Sequence, residues 1–558
     1  MDDIPSEKRL PASVISHRAN STPDMVVVLL PKGQALEDDF FGLTYRRLNY
    51  AVDNVAFWLD SVLSQGKKVG YESESQWSTI VYAGSNDDRY VLLLYAVGKT
   101  NRKAGSLLFP SSGGRWLTGT QPMVITLPTN PKDSLIKLLN AQGVKTALAS
   151  RVPISPVKDA MDHILGGQVL DMPPLSTFLD AIPPSTYPYD REWSKTRNDT
   201  WLVMQSSGTT GDPKPVTQTK TFIDAYADMI AARNKGDNLQ LAYPVVLRDC
   251  HAPLLWPLSW GAGIFAAGMF PLVSITITTL IPPTMPSPMT PEYVKDVMRL
   301  ELAKEPSALE GSKNYDWVSY AGAPLDNDTG DLIAKHTRIQ SIIASTEAGI
   351  YPLLLNSPSD CKYHRLHPTL HGWLLVHFQD ELYELCIRKA GENEWRPAFT
   401  MDKRNPDLLQ VFHTKDLCRI VPGRQGFWDF CGRTDDFVEL VTDEVQWDKY
   451  RTHHRSPSRR QSMPALHLSS DEVIERIWPA IEAANKTLIE QAELGKKVVL
   501  ITREDAPTAR LAKGTINRRA TLKVYEGEIE ELYWKYIQSA LLDSTKTPGL
   551  VNRVRPYF

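Results

Sequence analysis

The stretch at residues 200–217 restricts the possible folds of this chain more than any other segment. It reads Thr-Trp-Leu-Val-Met-Gln-Ser-Ser-Gly-Thr-Thr-Gly-Asp-Pro-Lys-Pro-Val-Thr. The apolar residues 201–204 predict a short buried strand, and the small and hydroxylated residues behind them predict a loop. Small residues let the backbone approach an anion closely, hydroxyl and N–H groups donate to phosphate oxygens, and a lysine adds positive charge. We therefore predict a buried strand that leads into a phosphate-binding loop.

This loop differs from the Gly-x-x-x-x-Gly-Lys-Ser/Thr pattern of P-loop proteins, and a Gly-rich loop alone could be a polar surface turn. Ser-Ser-Gly-Thr-Thr-Gly-x-Pro-Lys directly behind an apolar strand is far more specific. At these residues the chain resembles the AMP-binding, acyl-adenylate-forming enzymes, which include acyl-CoA synthetases, luciferases and the adenylation domains of nonribosomal peptide synthetases. The resemblance implies that the loop holds the pyrophosphate end of ATP. The residues so implied are Ser206, Ser207, Gly208, Thr209, Thr210, Gly211 and Lys214.

The composition is that of an ordinary soluble globular protein. Of 558 residues, 42% are hydrophobic and 23% are charged, which is enough for two to four structural units. A net charge of -3 gives no reason to expect a nucleic-acid or membrane partner. The five cysteines show no Cys-x-x-Cys spacing, so reduced thiols are expected. The polar N-terminus does not resemble a signal peptide, and we expect a cytoplasmic location.

Helical and strand patterns alternate in the first part of the chain. Residues 43–63 and 87–97 have helical spacing, and residues 79–82 look like a strand. This alternation predicts an α/β fold, and the resemblance implies a large N-terminal domain of layered αβ subdomains at 1–435. A small α+β C-terminal subdomain, possibly incomplete, is expected at 436–558. Residues 113–129 fit the pattern poorly and are interpreted as an insertion or translated non-coding sequence.

Two further segments resemble nucleotide-binding motifs of the family. Residues 317–325 form an apolar strand followed by Ala-Gly-Ala-Pro-Leu, similar to the family's Gly-Gly-Ala-Pro-Leu, whose backbone lines the adenine slot. This resemblance assigns Ala321, Gly322 and Ala323 to ATP binding. Residues 345–349 read Ser-Thr-Glu-Ala-Gly, where Thr346 and Glu347 are implied to contact the α-phosphate and Mg²⁺. Magnesium prefers hard carboxylate oxygens, so one glutamate beside a phosphate slot suits that role.

The ribose and hinge motifs follow later in the chain. Residues 412–417, Phe-His-Thr-Lys-Asp-Leu, take the place of the family's Tyr-x-Thr-Gly-Asp-Leu, with Lys415 in place of glycine. Asp416 is implied to accept hydrogen bonds from both ribose hydroxyls, a contact that weakens if Lys415 distorts the turn. Residues 432–435, Gly-Arg-Thr-Asp, imply that Arg433 binds ribose or phosphate and that Asp435 is the hinge of the small subdomain.

The region 241–273 corresponds in order to the one that shapes the acyl pocket in the family. His251 is the candidate for a histidine near the substrate carboxylate, although no aromatic residue precedes it. A core or surface histidine is the alternative. The aromatic residues Trp256, Trp260 and Phe265 fit either a pocket wall or ordinary core.

The C-terminal part mixes ordered patterns with one basic, polar stretch. Residues 444–467 are interpreted as a disordered loop, whereas 471–492 and 525–542 predict helices and 497–502 a strand. Residues 512–517, Ala-Lys-Gly-Thr-Ile-Asn, resemble the family's C-terminal motif and assign the catalytic charge to Lys513. The segment is most similar to adenylation domains of fungal nonribosomal-peptide-synthetase-like enzymes, including aryl-acid and aminoadipate-type reductases.

The resemblance implies a reaction in two halves. A small carboxylic acid attacks the α-phosphate of ATP with Mg²⁺ as cofactor, which releases pyrophosphate and leaves an acyl-adenylate. A thiol of CoA, or of phosphopantetheine on a carrier protein, then accepts the acyl group. The implied catalytic residues are Lys513, Thr346, Glu347 and His251, with Glu347 as the metal ligand. The alternatives are a catalytically impaired nucleotide-binding protein and a stand-alone acyl-CoA ligase.

Overall fold

The structure is a computed structural model. It describes the single residue Pro5 and a series of further segments. It describes residues 9–33, 39–63, 79–84, 87–100, 123–125, 132–150, 156–189, 191–196, 200–207, 213–220, 241–242, 251–254, 256–273, 276–280, 317–321, 327–367, 372–388, 411–434, 438–439, 449–450, 469–485, 496, 499–503, 505–508 and 518–542.

A six-stranded sheet carries the segment that was singled out in the sequence. Its strands are β3 (Ile80–Ala83), β4 (Met123–Ile125), β5 (Thr146–Ala149), β6 (Gln168–Asp171), β7 (Thr200–Ser207) and β8 (Pro213–Thr219). Their order is β6-β5-β3-β4-β7-β8, and the pairings from β6 to β7 are parallel. All four residues of β5 are buried, as is typical of a parallel sheet covered by helices on both faces.

Strand β4 corrects part of the interpretation of residues 113–129. Met123–Ile125 were placed in an insertion, yet they form a strand in the middle of the sheet. Val124 pairs with Val81 of β3 on one side and with Val203 of β7 on the other. Three residues are too few to show a periodic pattern. Pairing with β3 and β7, rather than the local sequence, therefore makes this segment a strand.

Helices pack against these strands through apolar stripes. The helices of this part are α1 (Pro11–Ser21), α2 (Tyr45–Leu63), α3 (Arg89–Lys99), α4 (Lys132–Ala141), α5 (Pro156–Met161), α6 (Leu175–Leu179) and α7 (Trp193–Thr196). Helix α2 buries Leu48, Val52 and Leu59 in the same cluster that contains residues of α3. Burial of each such side chain contributes roughly 1.5–3 kcal/mol. The helices predicted over 43–63 and 87–97 are thereby confirmed.

A four-stranded sheet, ordered β2-β1-β10-β9, holds the N-terminal strands. Its members are β1 (Val26–Pro31), β2 (Phe40–Thr44), β9 (His251–Leu254) and β10 (Ile277–Leu280). Helices α8 (Gly261–Gly268) and α9 (Phe270–Val273) lie between β9 and β10 in sequence. Phe265 of α8 is buried in the large core, which favours the core interpretation for this aromatic residue.

The described elements between residues 317 and 433 are mostly strands. These are β11 (Trp317–Tyr320), α10 (Asn327–Ile333), β12 (Arg338–Ser341), β13 (Ala344–Ser345), β14 (Gly349–Ile350), β15 (Trp373–Gln379), β16 (Leu382–Arg388), β17 (Val411–Ile420) and β18 (Trp428–Arg433). A 3-10 turn covers Pro358–Asp360. Strands β15 to β18 form a second four-stranded sheet in chain order, and β15 to β17 are antiparallel.

The C-terminal part contains β19 (Val438–Glu439), β20 (Lys449–Tyr450), α11 (Ser470–Asn485), α12 (Arg518–Val524) and α13 (Glu526–Leu542). Helix α11 begins with a capping box, because Ser469 Oγ accepts the Glu472 N–H and Glu472 Oε2 accepts the Ser469 N–H. The strand at Lys449–Tyr450 corrects the interpretation of 444–467 as pattern-free loop at those two residues, which pair with β19.

The strand predicted over 497–502 is wrong for its described residues. Residues 499–503 are irregular, and Leu500 is 39% exposed. The N–H of Arg503 donates to the Tyr525 hydroxyl at 2.7 Å, and that hydroxyl donates to the Ala506 carbonyl. A buried tyrosine therefore satisfies backbone groups that a neighbouring strand would otherwise have to satisfy.

The chain divides into two compact units. One comprises Met1–Ser206 and Pro213–Cys431, and the other comprises Ser207–Asp212 and Gly432–Phe558. In the part of the chain that the structure describes, no helix combines the length and apolar character needed to cross a bilayer.

Candidate active site

The predicted phosphate loop lies between two strands of the six-stranded sheet. Ser206 and Ser207 end β7, and Lys214 is the second residue of β8. Gly208, Thr209, Thr210 and Gly211 lie outside the described residues. Trp201 to Met204 are buried, as the apolar run predicts.

A buried glutamine connects β8 to the Thr-Glu motif. Gln218 lies near the end of β8, is 1% exposed, and donates from Nε2 to the Thr346 carbonyl oxygen at 2.6 Å. The two residues are 128 positions apart in the chain. Since a buried amide that loses its partner costs about 1–3 kcal/mol, this contact specifies where the Thr346 backbone lies.

Thr346 and Glu347 occupy a tight turn between β13 and β14. The Ala348 N–H donates to Ser345 Oγ at 3.0 Å, and Gly349 adopts a φ of 69°, a conformation that glycine accepts without steric cost. Both side chains are half-buried. Within the described part of the chain, the Glu347 carboxylate has no hydrogen-bond or ion-pair partner, so it is available to a cation.

The predicted adenine segment begins beside the same motif. Strand β11 runs parallel to β12 with Tyr320 opposite Ser341, and the Ile342 N–H donates to the Tyr320 carbonyl at 2.8 Å. Ala321 follows Tyr320 directly and is exposed. Gly322 and Ala323 lie outside the described residues. The β11 and β12 strands therefore bring the beginning of the predicted adenine segment next to the strand that leads to Glu347.

Asp416 lies in an irregular part of β17, called the Asp416 turn below, where the pairing with β16 shifts register between Glu384 and Cys386. Lys415 has a φ of 66°, in the left-handed region. Its N–H donates to Glu384 Oε1 at 3.1 Å. Thr414 Oγ1 donates to the Leu385 carbonyl at 2.6 Å and accepts the Asp416 N–H at 3.1 Å. Lys415 therefore takes a conformation that costs a non-glycine residue about 1–2 kcal/mol.

One hydrophobic cluster joins the Glu347 turn to the sheet that carries Asp416. Ala348 and Tyr351, which follow Glu347, pack in a cluster with Leu385, Ile387 and Cys418. Leu385 and Ile387 belong to β16, and Cys418 follows Asp416 in β17. The Thr-Glu turn and the ribose turn are therefore attached to the same core, although they are separated by about 70 residues of sequence.

A buried histidine supports the strand before the Thr-Glu motif. His364 Nε2 lies 2.8 Å from Ser341 Oγ, and the His364 N–H donates to the Trp428 carbonyl. Burial lowers the pKa of His364 to about 4, because the charged imidazolium would lose its hydration. Sequence reasoning missed Gln218, Glu384 and His364 as supporting residues. No local pattern marks these three residues, because their partners lie in distant segments of the chain.

The other predicted site residues are less closely linked to this group. His251 begins β9 and is exposed, with Ile277 of β10 as its register partner. Arg433 ends β18 and is exposed. Asp435 and Lys513 lie outside the described residues. In the described part of the large unit, hydrogen bonds and packing thus link β8, the β11–β12 pair beside Ala321, the turn of Thr346 and Glu347, and the sheet that carries Asp416.

Comparisons with known proteins find similarity in both sequence and fold. The family model for the AMP-binding enzyme C-terminal domain matches residues 459–536. The O-succinylbenzoate coenzyme A synthetase of Bacillus subtilis, solved in complex with AMP, superimposes with a TM-score of 0.56 at 14% identity. That alignment covers 91% of this chain and 97% of the synthetase. The chain therefore resembles AMP-binding enzymes in its C-terminal part, and its α/β fold of a large N-terminal and a small C-terminal subdomain is confirmed.

The chain is also similar to parts of longer fungal proteins. It is 25% identical to the isocyanide synthase-NRPS hybrid crmA of Aspergillus fumigatus, over 95% of this chain and 34% of that protein. It is 21% identical to a carboxylic acid reductase of Neurospora crassa, over 95% of this chain and 51% of that protein. The chain therefore spans about a third to a half of the length of these relatives.

Proposed function

We propose that this chain activates a carboxylic acid as an acyl-adenylate, with ATP as the second substrate. The observation that carries the proposal is the contact between Gln218 and the Thr346 carbonyl. It connects the strand behind the predicted pyrophosphate loop to the turn predicted to contact the α-phosphate. Two segments 128 residues apart would have no reason to meet there if each were an independent surface turn.

The described residues suit a magnesium ion at Glu347. A half-buried carboxylate with no partner among the described residues offers the hard oxygen ligand that Mg²⁺ prefers. The ion, when bound, would neutralise charge on the phosphate oxygens. The chain itself contributes the position of that carboxylate, which the packing of Ala348 and the hydrogen bond from Gln218 to Thr346 hold in place.

The reaction needs an acid oxygen to attack the α-phosphorus while the bond to pyrophosphate breaks. Negative charge then grows on the α-phosphate and on the leaving group, and fixed donors at those positions lower the barrier. We assign the pyrophosphate end to residues 206–211 and Lys214, and the ribose hydroxyls to Asp416. Lys513 supplies the cation at the reacting centre, and Arg433 contacts ribose or phosphate.

In the second half of the proposed reaction, a thiol attacks the acyl-adenylate and AMP leaves. The small subdomain would reorient about Asp435 between the two steps. The relatives named as an NRPS hybrid and a carboxylic acid reductase support phosphopantetheine on a carrier as the acceptor. The coenzyme A synthetase from Bacillus supports free CoA as the alternative.

The first half is tested by exchange of labelled pyrophosphate into ATP with a panel of aromatic, aliphatic and amino acids. We expect exchange that depends on an added acid and that is lost in Lys513→Ala. Lys523→Ala is the matched control, because Lys523 is an exposed lysine of α12. Nucleotide binding without exchange for any acid would overturn the proposal in favour of a binding protein.

The acceptor is identified in a separate experiment. The acid that supports exchange is offered together with free CoA or with a phosphopantetheinylated carrier protein from a fungal relative. Thioester on the carrier supports the carrier as the partner, and thioester on CoA alone supports a stand-alone ligase. Exchange without either thioester would overturn the second half of the proposal and leave the first intact.

A further inference from the structure

Three side chains of the antiparallel sheet form a compact cluster of metal-ligating atoms. Glu384 and Cys386 lie two residues apart on β16, and His413 lies directly opposite Cys386 on β17. One ligand atom from each residue lies within 4.8 Å of the others. Among the residues that the structure describes, no other group of three or more His, Cys, Asp or Glu side chains lies this close together.

The distances fit a tetrahedral zinc site. His413 Nδ1 lies 3.1 Å from Glu384 Oε2 and 3.4 Å from Cys386 Sγ. Tetrahedral bonds of about 2.0 Å to nitrogen and oxygen and 2.3 Å to sulfur place nitrogen about 3.3 Å from oxygen and about 3.5 Å from sulfur. The atoms therefore need to move by only a few tenths of an ångström to share one ion.

The surroundings hold the ligands while leaving a way in. The Lys415 N–H donates to Glu384 Oε1, so the carboxylate is oriented with Oε2 toward His413. Such outer hydrogen bonds fix first-shell ligands in metal sites. Cys386 is buried and the Glu384 side chain is 13% exposed, whereas the His413 side chain is 59% exposed. An ion can therefore reach the cluster from the side of the histidine.

We propose that Glu384, Cys386 and His413 bind a zinc-type divalent cation, with a water as the fourth ligand. The thiol proton leaves to solvent on binding, so the thiolate and the carboxylate neutralise the two positive charges of the ion. Thiolate and imidazole select zinc-type ions over magnesium, which makes this site chemically distinct from the one proposed at Glu347. The ion would join β16 to β17 directly beside the turn that carries Asp416.

Cobalt(II) substitution tests the proposal on the purified full chain, because a thiolate ligand gives a near-ultraviolet charge-transfer band. We expect one equivalent of cobalt to produce that band, zinc to remove it, and Cys386→Ser to abolish it. Cys418→Ser is the matched control, since Cys418 is also buried in this sheet and lies outside the cluster. A band that persists in Cys386→Ser, or no band in the parent chain, would overturn the proposal.

A second variant keeps the test valid if Cys386→Ser fails to fold. His413 is largely exposed, so His413→Gln is expected to leave the melting temperature of the metal-free protein unchanged. Zinc affinity should fall roughly tenfold or more in this variant. His377→Gln, at an exposed histidine of the same sheet, should bind zinc as the parent does. Equal zinc affinity in His413→Gln and the parent would show a hydrogen-bonded trio without a metal.

Discussion

The Glu347 turn and the His251 strand differ sharply, although both were predicted to carry catalytic side chains. Glu347 lies in a turn whose neighbours are held by a buried hydrogen bond, a parallel strand pair and a hydrophobic cluster. His251 lies at the start of a strand, where its own side chain is exposed. Several independent contacts fix the position of Glu347, whereas the side chain of His251 is exposed. The catalytic role is therefore better supported for Glu347 than for His251.

The largest expected effect separates these two residues. Glu347→Gln keeps the size of the side chain and removes its charge, so acid-dependent pyrophosphate exchange should fall roughly 10²–10³-fold. His251→Ala should change the exchange rate by no more than about threefold, because exposed substitutions typically shift free energies by about 0.5 kcal/mol. Both rates are measured at saturating ATP and magnesium.

The control for this pair is Glu381→Gln, at an exposed glutamate in the turn between β15 and β16. It should leave the exchange rate unchanged. A loss in His251→Ala as large as the loss in Glu347→Gln would break the comparison. It would show that His251 contacts the substrate despite its exposure.

The second prediction concerns the pH dependence of stability around the Glu347 turn. The pKa of His364 is lowered from its usual 6.5 to about 4 by burial, so the unfolded chain takes up a proton first as the pH falls. The free energy of unfolding should therefore be highest above pH 6.5 and fall by about 3 kcal/mol on approach to pH 4. Chemical denaturation between pH 4 and 8 measures this slope.

Replacement of His364 identifies its share of that slope. His364→Gln retains a side-chain amide opposite Ser341. In this variant, the fall of about 3 kcal/mol in unfolding free energy between pH 6.5 and pH 4 should disappear. His377→Gln removes an exposed histidine of β15 and should leave the slope as it is. An unchanged slope in His364→Gln would mean that other groups cause the acid sensitivity.

The third prediction weakens the contact between β8 and the Thr346 backbone. Gln218→Met removes the buried donor and should cost about 1–3 kcal/mol of unfolding free energy. The same variant should raise the KM for ATP in the exchange assay, because the Thr346 backbone loses its anchor. Gln168→Met, at an exposed glutamine of β6 whose Nε2 donates to Thr146 Oγ1 at 3.1 Å, should cost less stability and leave the KM for ATP unchanged.

The smallest expected effect is a gain in stability at the Asp416 turn. Lys415→Gly relieves a left-handed φ of 66° and should raise the unfolding free energy by about 0.5–1 kcal/mol. Lys362→Gly is the control, because Lys362 does not have a positive φ and should lose stability on the same substitution. A loss of stability in Lys415→Gly would show that the lysine side chain contributes more than the strain costs.

The fold class was predictable because apolar periodicity is strong in the N-terminal half. Helix α2 was predicted at 43–63 and is observed at Tyr45–Leu63. Strand β4 was missed because three residues carry no period, and the false strand at 497–502 arose because an apolar run alone does not supply a pairing partner. Whether such a short segment forms a strand depends on the strands that pair with it, and a local sequence pattern does not contain that information.

The candidate site was only partly predictable. The order of the motifs indicated Thr346, Glu347 and Asp416, since their family patterns combine several residue types at fixed spacing. The residues that hold them, Gln218, Glu384 and His364, belong to no motif and act through contacts between distant segments. The sequence also indicated that Lys415, in place of glycine, could distort its turn. In the structure, the Lys415 backbone instead adopts a positive φ, the conformation that a glycine would take.

The parallel pairing of β1 with β10 has a consequence for synthesis in the cell. Val28 pairs with Thr278. The backbone groups on that side of β1 therefore have no partner strand until 250 further residues have been synthesised. At about 5–20 residues per second, that wait lasts roughly 10–50 s. During this time a strand of Val-Val-Val-Leu-Leu has an open edge, which is the kind of segment that chaperones recognise and that aggregates when they are scarce. Yield on heterologous expression should therefore respond to chaperone supply more than to growth-medium composition.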